Sequence, residues 1–302
     1  MMGLAVALAG AASVAAMAAA RPAALELGAA PTTTVFPSAT RAIAEVLASA
    51  PGGVAAFGEL HQTTATVGVP SALRRFTADV LPALAGRLSH LVVETWVTNG
   101  RCGEAERTVT TDVKRTTMRP ASTESEIEAL IRTAGEHGVA PRILSISCAD
   151  YQAMRAPGGV DYDRTLRVTA RALEAAIIGA LSASASAPMI AAARPEGPPR
   201  FVAVYGGALH NDLLPVPELA PYSFAPRVLA ATLGRYLEID LVVPEYARAS
   251  APIRAEAWWR AYERARRPDA TVLIQRAPRS YVVVFPAQPR RAAGPADRRS
   301  RR

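Results

Sequence analysis

Short apolar segments alternate along this chain with segments of helical periodicity, and this alternation constrains the fold more than any other feature. The strand candidates are residues 54–58, 90–94, 142–147, 201–206 and 237–243. An apolar stripe of helical spacing runs through residues 163–181, between two of them. Alternation of strands and helices predicts an α/β fold with a mainly parallel sheet covered by helices on both faces. Residues 271–275 and 281–285 predict an antiparallel hairpin at an edge of that sheet.

Three further segments complete the predicted secondary structure. Residues 101–121 are polar and rich in Thr and Arg, which favours a long functional loop. The pair Thr123 and Glu126 has the spacing of a capping box and predicts the start of a helix that ends at Gly138. Residues 253–266 predict one amphipathic helix, with Trp258 and Trp259 in the core.

The 302 residues are sufficient for one large α/β domain, which we place at 38–286. Residues 1–22 are uncharged and apolar up to a small-residue segment before Arg21, which is typical of a signal peptide. The alternative is an Ala-rich tail without a targeting role. Export would place the protein in the periplasm or outside the cell. No later segment approaches the ~20 apolar residues that a membrane span needs.

The net charge of +8 does not indicate nucleic-acid binding. The basic residues are scattered arginines, with Lys114 as the only lysine, and the one dense cluster lies in residues 287–302. That segment is rich in Pro, Ala and Gly and is typical of a disordered basic tail. A nucleic-acid interface would need a basic face interleaved with aromatic residues or a recognition helix, and the sequence has neither.

The two cysteines, Cys102 and Cys148, do not form a CxxC motif. In an exported chain, two cysteines favour one disulfide. The alternatives are two separate buried thiols or, less favoured because no histidine is near in sequence, a nucleophilic Cys148.

Two matching GxxH turns are the main candidates for chemistry. The first is Gly58-Glu59-Leu60-His61 and the second is Gly207-Ala208-Leu209-His210, and each follows a predicted strand. In an open α/β sheet, ligands bind beyond the carboxyl ends of the strands, where both turns are expected. Each turn alone is also compatible with a capped turn and a hydrogen-bonded histidine.

A third element is Glu94, which follows the apolar residues 91–93. A carboxylate at the end of a buried strand is costly unless it is paired or metal-bound. The alternative to a functional role is a salt bridge to an arginine such as Arg101 or Arg119.

Together, Glu59, His61, Glu94 and His210 form a nitrogen and oxygen ligand set that suits Zn²⁺, Mn²⁺, Co²⁺ or Fe²⁺. A metal there would activate water, and a carboxylate that does not bind the metal, Glu59 or Glu94, would be the general base. Polar residues near the second turn are candidates to orient the histidines: Tyr205, Asn211, Asp212, Asp240 and Glu245.

These motifs, in this order, resemble the Tiki/TraB, ChaN and erythromycin-esterase superfamily. For Tiki-like members, the resemblance implies a metal-dependent peptidase with His61, Glu94 and His210 at its centre. For esterase-like members, it implies hydrolysis with His61 as base and the two glutamates as partners, although Gln62 stands where those members have glycine. For ChaN-like members, it implies haem or iron binding without catalysis. The function expected first is therefore an exported metal-dependent hydrolase of a peptide or small-molecule substrate.

Overall fold

The computed structural model describes residues 3–5, 30–186, 200–267 and 269–288. Most of the predicted leader, residues 187–199 and nearly all of the predicted tail lie outside these residues. The described strands are β1 Gly3–Ala5, β2 Thr32–Phe36, β3 Gly53–Glu59, β4 Leu88–Thr98, β5 Ala140–Leu144, β6 Arg155–Ala156, β7 Gly159–Val160, β8 Phe201–Gly207, β9 Tyr236–Val242, β10 Thr271–Ala277 and β11 Ser280–Val284.

The α-helices are α1 Ala39–Ala48, α2 Ala72–Arg75, α3 Leu81–Leu84, α4 Gly103–Thr117, α5 Ser122–Glu136, α6 Cys148–Met154, α7 Tyr162–Ser186, α8 Ala225–Ala231, α9 Pro244–Ala249, α10 Ala251–Ala255 and α11 Ala257–Ala265. A π-helical turn joins α2 to α3, immediately before Pro82. Proline lacks the backbone donor that a continuous helix needs there, which explains the irregularity.

Nine of the described strands form the main sheet, in the order β1-β4-β8-β3-β9-β11-β10-β2, with β5 also beside β4. The strands β5, β4, β8, β3, β9 and β11 run parallel to their neighbours in this set. Helices pack on both faces. Alternate residues of β3 show this, since Phe57 belongs to the apolar cluster that includes α1, α2 and α5, whereas Ala56 belongs to the cluster that includes α4, α7 and α8. The predicted α/β fold is therefore confirmed.

The closing hairpin forms as predicted, but it does not lie at an edge. β11 pairs in parallel with β9, and β10 pairs antiparallel with β2, so β2 is the outer strand of the described part of the sheet. The exposed sequence TTTVF of β2 lacks the apolar alternation of a buried strand, and it precedes the predicted domain start at Ser38.

The predicted loop over 101–121 is wrong, because most of it is helix α4. Its apolar face consists of Ala105, Val109 and Val113, which are four residues apart and buried. This stripe is narrow, and the surrounding Thr, Arg and Glu residues hide it in the sequence. The predicted single helix over 253–266 is also wrong, because extended backbone at Glu256 divides it into α10 and α11.

Two local signals need smaller corrections. The helix expected at Thr123 begins at Ser122, and no side chain caps its first turn, so the capping box is not formed. Strand β4 continues to Thr98, and Glu94 therefore lies within the strand rather than at its end. Pairing with β8 does stop at Val93, which leaves Glu94 where the neighbouring strand turns away.

Cys102 and Cys148 form a disulfide with their Cα atoms 5.1 Å apart, as the sequence predicts. The bond links the start of α4 to the start of α6. None of the described helices is both long and apolar enough to cross a lipid bilayer.

Candidate functional site

The candidate site lies where the carboxyl ends of β3, β4 and β8 meet. Strand β8 is between β3 and β4, and its residue Gly207 is opposite Glu59 while Tyr205 is opposite Val93. This register brings the two GxxH turns side by side. All four predicted site residues, Glu59, His61, Glu94 and His210, therefore lie in one region of the fold.

Glu59 and His61 form a hydrogen-bonded pair, with 2.7 Å between Glu59 Oε1 and His61 Nδ1. The other oxygen of Glu59 accepts a hydrogen bond from the Tyr205 hydroxyl at 2.7 Å. The guanidinium of Arg119 lies 3.2 Å from Glu59 Oε1 and also contacts His61 Nδ1. Arg119 follows α4, so an arginine that the sequence offered as a partner for Glu94 instead binds Glu59.

These contacts set the charges of the pair. Burial would raise the pKa of Glu59, but the hydrogen bond from His61 and the charge of Arg119 outweigh it and lower that pKa to about 2. Burial, together with the Arg119 charge, lowers the pKa of His61 to about 4. At neutral pH the pair is therefore a carboxylate holding a neutral imidazole.

Glu94 is held differently. Its Oε2 accepts a hydrogen bond from the backbone N–H of Gly207 at 2.7 Å. Its Oε1 has no hydrogen-bond partner within the described residues and lies 3.6 Å from His210 Nε2. Burial raises the pKa of Glu94 to about 8, although the Gly207 N–H and Arg119 act in the opposite direction. At neutral pH the carboxyl group of Glu94 is therefore protonated in most molecules.

His210 is fixed by the backbone around the second turn. Its Nδ1 lies 2.7 Å from the carbonyl oxygen of Tyr222, and a carbonyl only accepts, so Nδ1 carries the proton. The lone pair is then on Nε2, which is buried and has no partner in the described part of the chain. Burial lowers the pKa of His210 to about 4, which keeps the ring neutral.

Two glycines of the second turn make room for the other site residues. A Cβ atom on Gly206 would lie 2.4 Å from Glu94 Oε2, and one on Gly207 would lie 2.7 Å from His61 Nε2. Both distances are shorter than those of real Cβ contacts, so a side chain at either position would have to displace Glu94 or His61. The absence of side chains at Gly206 and Gly207 therefore allows β8 to approach Glu94 and His61 closely.

A cavity of about 330 Å³ opens beside these groups, and Glu59, His61 and His210 line it. The loop after β3 and helices α9 to α11 form much of its wall through Leu60, Ala65, Tyr246, Ile253 and Trp258. The lining is mostly apolar, as is usual for cavities that bind small molecules or peptide side chains.

The five orienting candidates near the second turn have different roles. Tyr205 holds Glu59, as described above. Asp212 accepts a hydrogen bond from the Leu214 N–H, which is a turn-capping contact, and it also lines the cavity together with Asp240. Asn211 donates to Asp240 and to the backbone of β3. Glu245 accepts from the backbone of Gln288 and does not line the cavity.

Sequence reasoning missed three contributors to this region: the Tyr222 carbonyl, Glu238 and Arg276. Every residue has a backbone carbonyl, so the sequence gives no indication that this one contacts His210. The only sequence signal for Glu238 is its position between apolar residues of the predicted strand. Every residue of β9 is buried, and a buried charged residue needs a partner. That partner is Arg276, on β10.

Among the described residues, no three or more His, Cys, Asp or Glu side chains form a group that could hold a metal ion as they stand. The residues with free donor atoms toward a metal are Glu94 and His210, with His61 Nε2 nearby. Binding by all three would require their side chains to shift. Metal and haem binding both stay predictions.

No protein-family model matches the sequence, and no curated protein or solved structure is significantly similar to it. The function is therefore inferred from the residues of the site.

Proposed function

We propose that this protein is a hydrolase of esters or amides in which His61 is the general base. The observation that supports this most is the Glu59–His61 pair, 2.7 Å apart, at the wall of a cavity large enough for a substrate. A carboxylate that holds one nitrogen of a neutral imidazole leaves the other nitrogen free to accept a proton. The same relationship orients the base in many hydrolases.

In the proposed reaction, His61 Nε2 takes a proton from a water molecule as the water oxygen attacks the substrate carbonyl carbon. Glu59 is ionised and stabilises the imidazolium that forms. When the tetrahedral intermediate collapses, the imidazolium returns that proton to the leaving oxygen or nitrogen. Tyr205 and Arg119 keep Glu59 in position throughout.

Glu94 is proposed to act in its protonated form. A neutral carboxyl group can donate a hydrogen bond to the oxygen that gains negative charge, and such donors supply a large part of catalysis in buried sites. Glu94 Oε1 has no other described partner, and it lies beside His210 Nε2. His210, whose Nε2 only accepts, is placed to orient the water or the Glu94 hydroxyl.

A second candidate is a metal-dependent form of the same hydrolysis, which is what the resemblance of the sequence motifs to Tiki-like proteins implies. It is favoured by one observation. Nδ1 of His210 faces the Tyr222 carbonyl, and Nδ1 of His61 faces Glu59 as well as the Arg119 guanidinium. With the proton of each histidine on Nδ1, both Nε2 atoms are available to a metal. Metal-binding histidines commonly have such a second contact. His61, Glu94 and His210 would hold the ion, which would polarise the carbonyl and lower the pKa of water.

The test is hydrolysis of a panel of p-nitrophenyl esters and peptide anilides by the full chain, by His61→Ala and by His137→Ala. His137 caps an exposed helix end and is the matched control. We expect kcat/KM to fall by ~10²- to 10⁴-fold in His61→Ala, the range for loss of a general base, and to be unchanged in His137→Ala. Equal rates for His61→Ala and the unaltered chain would overturn the proposal.

Chelation separates the two candidates. Full activity after EDTA treatment and removal of the chelator supports the metal-free reaction. Loss of activity that Zn²⁺, Mn²⁺, Co²⁺ or Fe²⁺ restores, with about one ion bound per chain, supports the metal-dependent reaction instead.

A further inference from the structure

The cavity beside His61 lies between two separate apolar clusters. One cluster joins helices α10 and α11 to the strands β9, β10 and β11 and includes Ile253 and Trp258. The other joins the start of α7 to the segment after β8 and includes Leu219, with Leu209 packed against it. Side chains from both clusters line the cavity, and we call them the apolar wall: Leu60, Leu209, Leu219, Val242, Ile253 and Trp258.

The protein itself covers the apolar wall only in part. Leu60 and Leu209 keep some of their surface exposed, whereas Ile253, Trp258 and Leu219 are each less than one-tenth exposed. Removing apolar surface from water is favourable. An apolar group placed between the two clusters would cover both of them at once and would join them into one.

The volume of the cavity limits the size of such a group. The volume is about 330 Å³, and an apolar cavity of ~150 Å³ is sufficient to bind benzene. Simple proportion therefore gives room for roughly twelve non-hydrogen atoms. This is the size of a medium-length alkyl chain or a substituted aromatic ring, and it is much larger than an acetyl group.

The polar side of the same cavity favours an uncharged group. Its carboxyl groups all interact within the protein, and they belong to Asp212, Glu238, Asp240 and Glu256. A cationic ligand would therefore compete with protein partners such as the guanidinium of Arg276, which lies 2.8 Å from Asp240. An anionic ligand would be repelled by the ionised Glu59 at the edge of the cavity.

Strand order gives the direction in which the group extends from the proposed base. In the sheet, β9 is the neighbour of β3 on one side, whereas Glu94 is on β4, two strands away on the other side. Glu59 is opposite Leu241, so Val242 of the apolar wall is one residue beyond the level of Glu59. Neighbouring strands are about 4.8 Å apart, so the apolar wall begins close to His61. With the scissile carbonyl between His61 and Glu94, the apolar group would extend toward β9.

We infer that the apolar wall binds an uncharged alkyl or aromatic group of the substrate, so that the hydrolase acts on esters or amides of medium-length apolar chains or rings. The inference rests on the proposed function for the bond that is broken, whereas the apolar wall is a separate set of residues. Ile253, Leu209 and Leu219 are the side chains expected to determine specificity for this group.

Methyl ketones of increasing chain length test the apolar wall, with binding to the full chain measured by calorimetry. The probes are 2-butanone, 2-hexanone and 2-octanone, which have a carbonyl group but no bond that a hydrolase cleaves. We expect the affinity to rise by ~4-fold for each added methylene group, the ratio that burial of one methylene gives. Octanoate and octylammonium have chains of similar length but are charged, and they should bind more weakly than 2-octanone.

Two variants place a polar group in the apolar wall. Ile253→Thr on α10 and Leu209→Thr in the second GxxH turn should each lower the affinity for 2-octanone by ~4- to 20-fold and flatten the dependence on chain length. The matched controls are Ile178→Thr on α7 and Leu214→Thr after β8, which are exposed and do not line the cavity, and they should bind as the unaltered chain does. Folding is checked by circular dichroism, and the partly exposed Leu209 keeps the test valid if Ile253→Thr unfolds.

An affinity that does not depend on chain length overturns the inference. An unchanged affinity for 2-octanone in the folded wall variants, or tighter binding of octanoate or octylammonium, also overturns it. Equal hydrolysis of p-nitrophenyl acetate and octanoate, without chain-length dependence of ketone binding, would remove the apolar site and leave the hydrolase. Chain-length-dependent binding that the wall variants lose, without hydrolysis of any ester or amide, would remove the proposed function and leave the apolar site.

Discussion

The Nε2 atom of His61 lies only 2.7 Å from the position that a Cβ atom on Gly207 would occupy. The glycine of the second GxxH turn therefore leaves the space that the histidine of the first turn fills. The two turns depend on each other in the folded protein, although they are far apart in the chain.

This contact predicts that Gly207→Ala displaces the His61 ring and so removes most activity. Overpacking of this kind costs about 1–3 kcal/mol in the free energy of unfolding. Both effects are measured on the purified variant by kcat/KM and by urea denaturation. The control is Gly179→Ala, at an exposed position of helix α7, where nothing lies within 4 Å of the added atom. Alanine should stabilise that helix by about 1 kcal/mol, and a Gly207→Ala enzyme as active as this control would contradict the prediction.

The pH dependence of kcat/KM follows from the protonation states of His61 and Glu94. With a His61 pKa of about 4, the base is protonated and activity falls as the pH drops through 4. With a Glu94 pKa of about 8, the donor loses its proton and activity falls as the pH rises through 8. A bell-shaped profile between these limits is expected, and Glu94→Gln should lack the alkaline limb because an amide does not titrate. An alkaline limb that persists in Glu94→Gln would assign it to another group.

Glu94 also predicts how stability changes with pH. Its pKa is raised from 4.5 in the unfolded chain to about 8 in the folded protein. Its contribution to stability is therefore fully present below pH 4.5 and is lost as the pH rises through 8. Between these values the free energy of unfolding should fall by at most about 1.4 kcal/mol per pH unit from this group. Urea denaturation at pH 5, 6.5 and 8 should show a smaller fall in Glu94→Gln, and equal slopes would be evidence against a buried neutral Glu94.

The disulfide between Cys102 and Cys148 spans 46 residues. Closing a loop of this length in the unfolded chain predicts a stabilisation of about 4 kcal/mol on the chain-entropy account. Reduction, or the double replacement Cys102→Ser with Cys148→Ser, should lower the thermal midpoint accordingly. The added reductant should leave the double variant unchanged, and a reductant effect there would show that another group responds.

The parts of the fold that could be predicted from sequence are those with strong local patterns. The buried strands β3 and β8 are almost continuous apolar segments that end in the GxxH turns, and β9 alternates apolar residues with Glu238 and Asp240. Because parallel strands present their carboxyl ends at the same edge, the convergence of Glu59, His61 and His210 follows from strand order alone. Glu94 follows an apolar segment in the sequence, which predicts a buried carboxyl group, and its side chain is buried in the structure.

The parts that could not be predicted depend on partners remote in sequence. The apolar stripe of α4 is narrow, so the sequence alone does not show that this segment is a helix. The contact of Arg119 with Glu59 depends on how that helix packs on the sheet. Edge strand β2 is specified by its pairing with β10 and not by its own composition. The pairing of Arg276 with Glu238 likewise depends on how β9, β11 and β10 are arranged across the sheet.

Strand β8 lies between β3 and β4, although it follows both of them in the chain by a long interval that includes α4 to α7. A chain that is still being synthesised or exported therefore has a gap at the centre of its sheet until residues 201–207 are present. Direct pairing of β3 with β4 in that interval would give a non-native sheet with no place for the second GxxH turn. Insertion of a late central strand is the kind of non-local step that slows folding and exposes unpaired strand edges. Appearance of hydrolytic activity during refolding would therefore report the moment at which β8 enters the sheet.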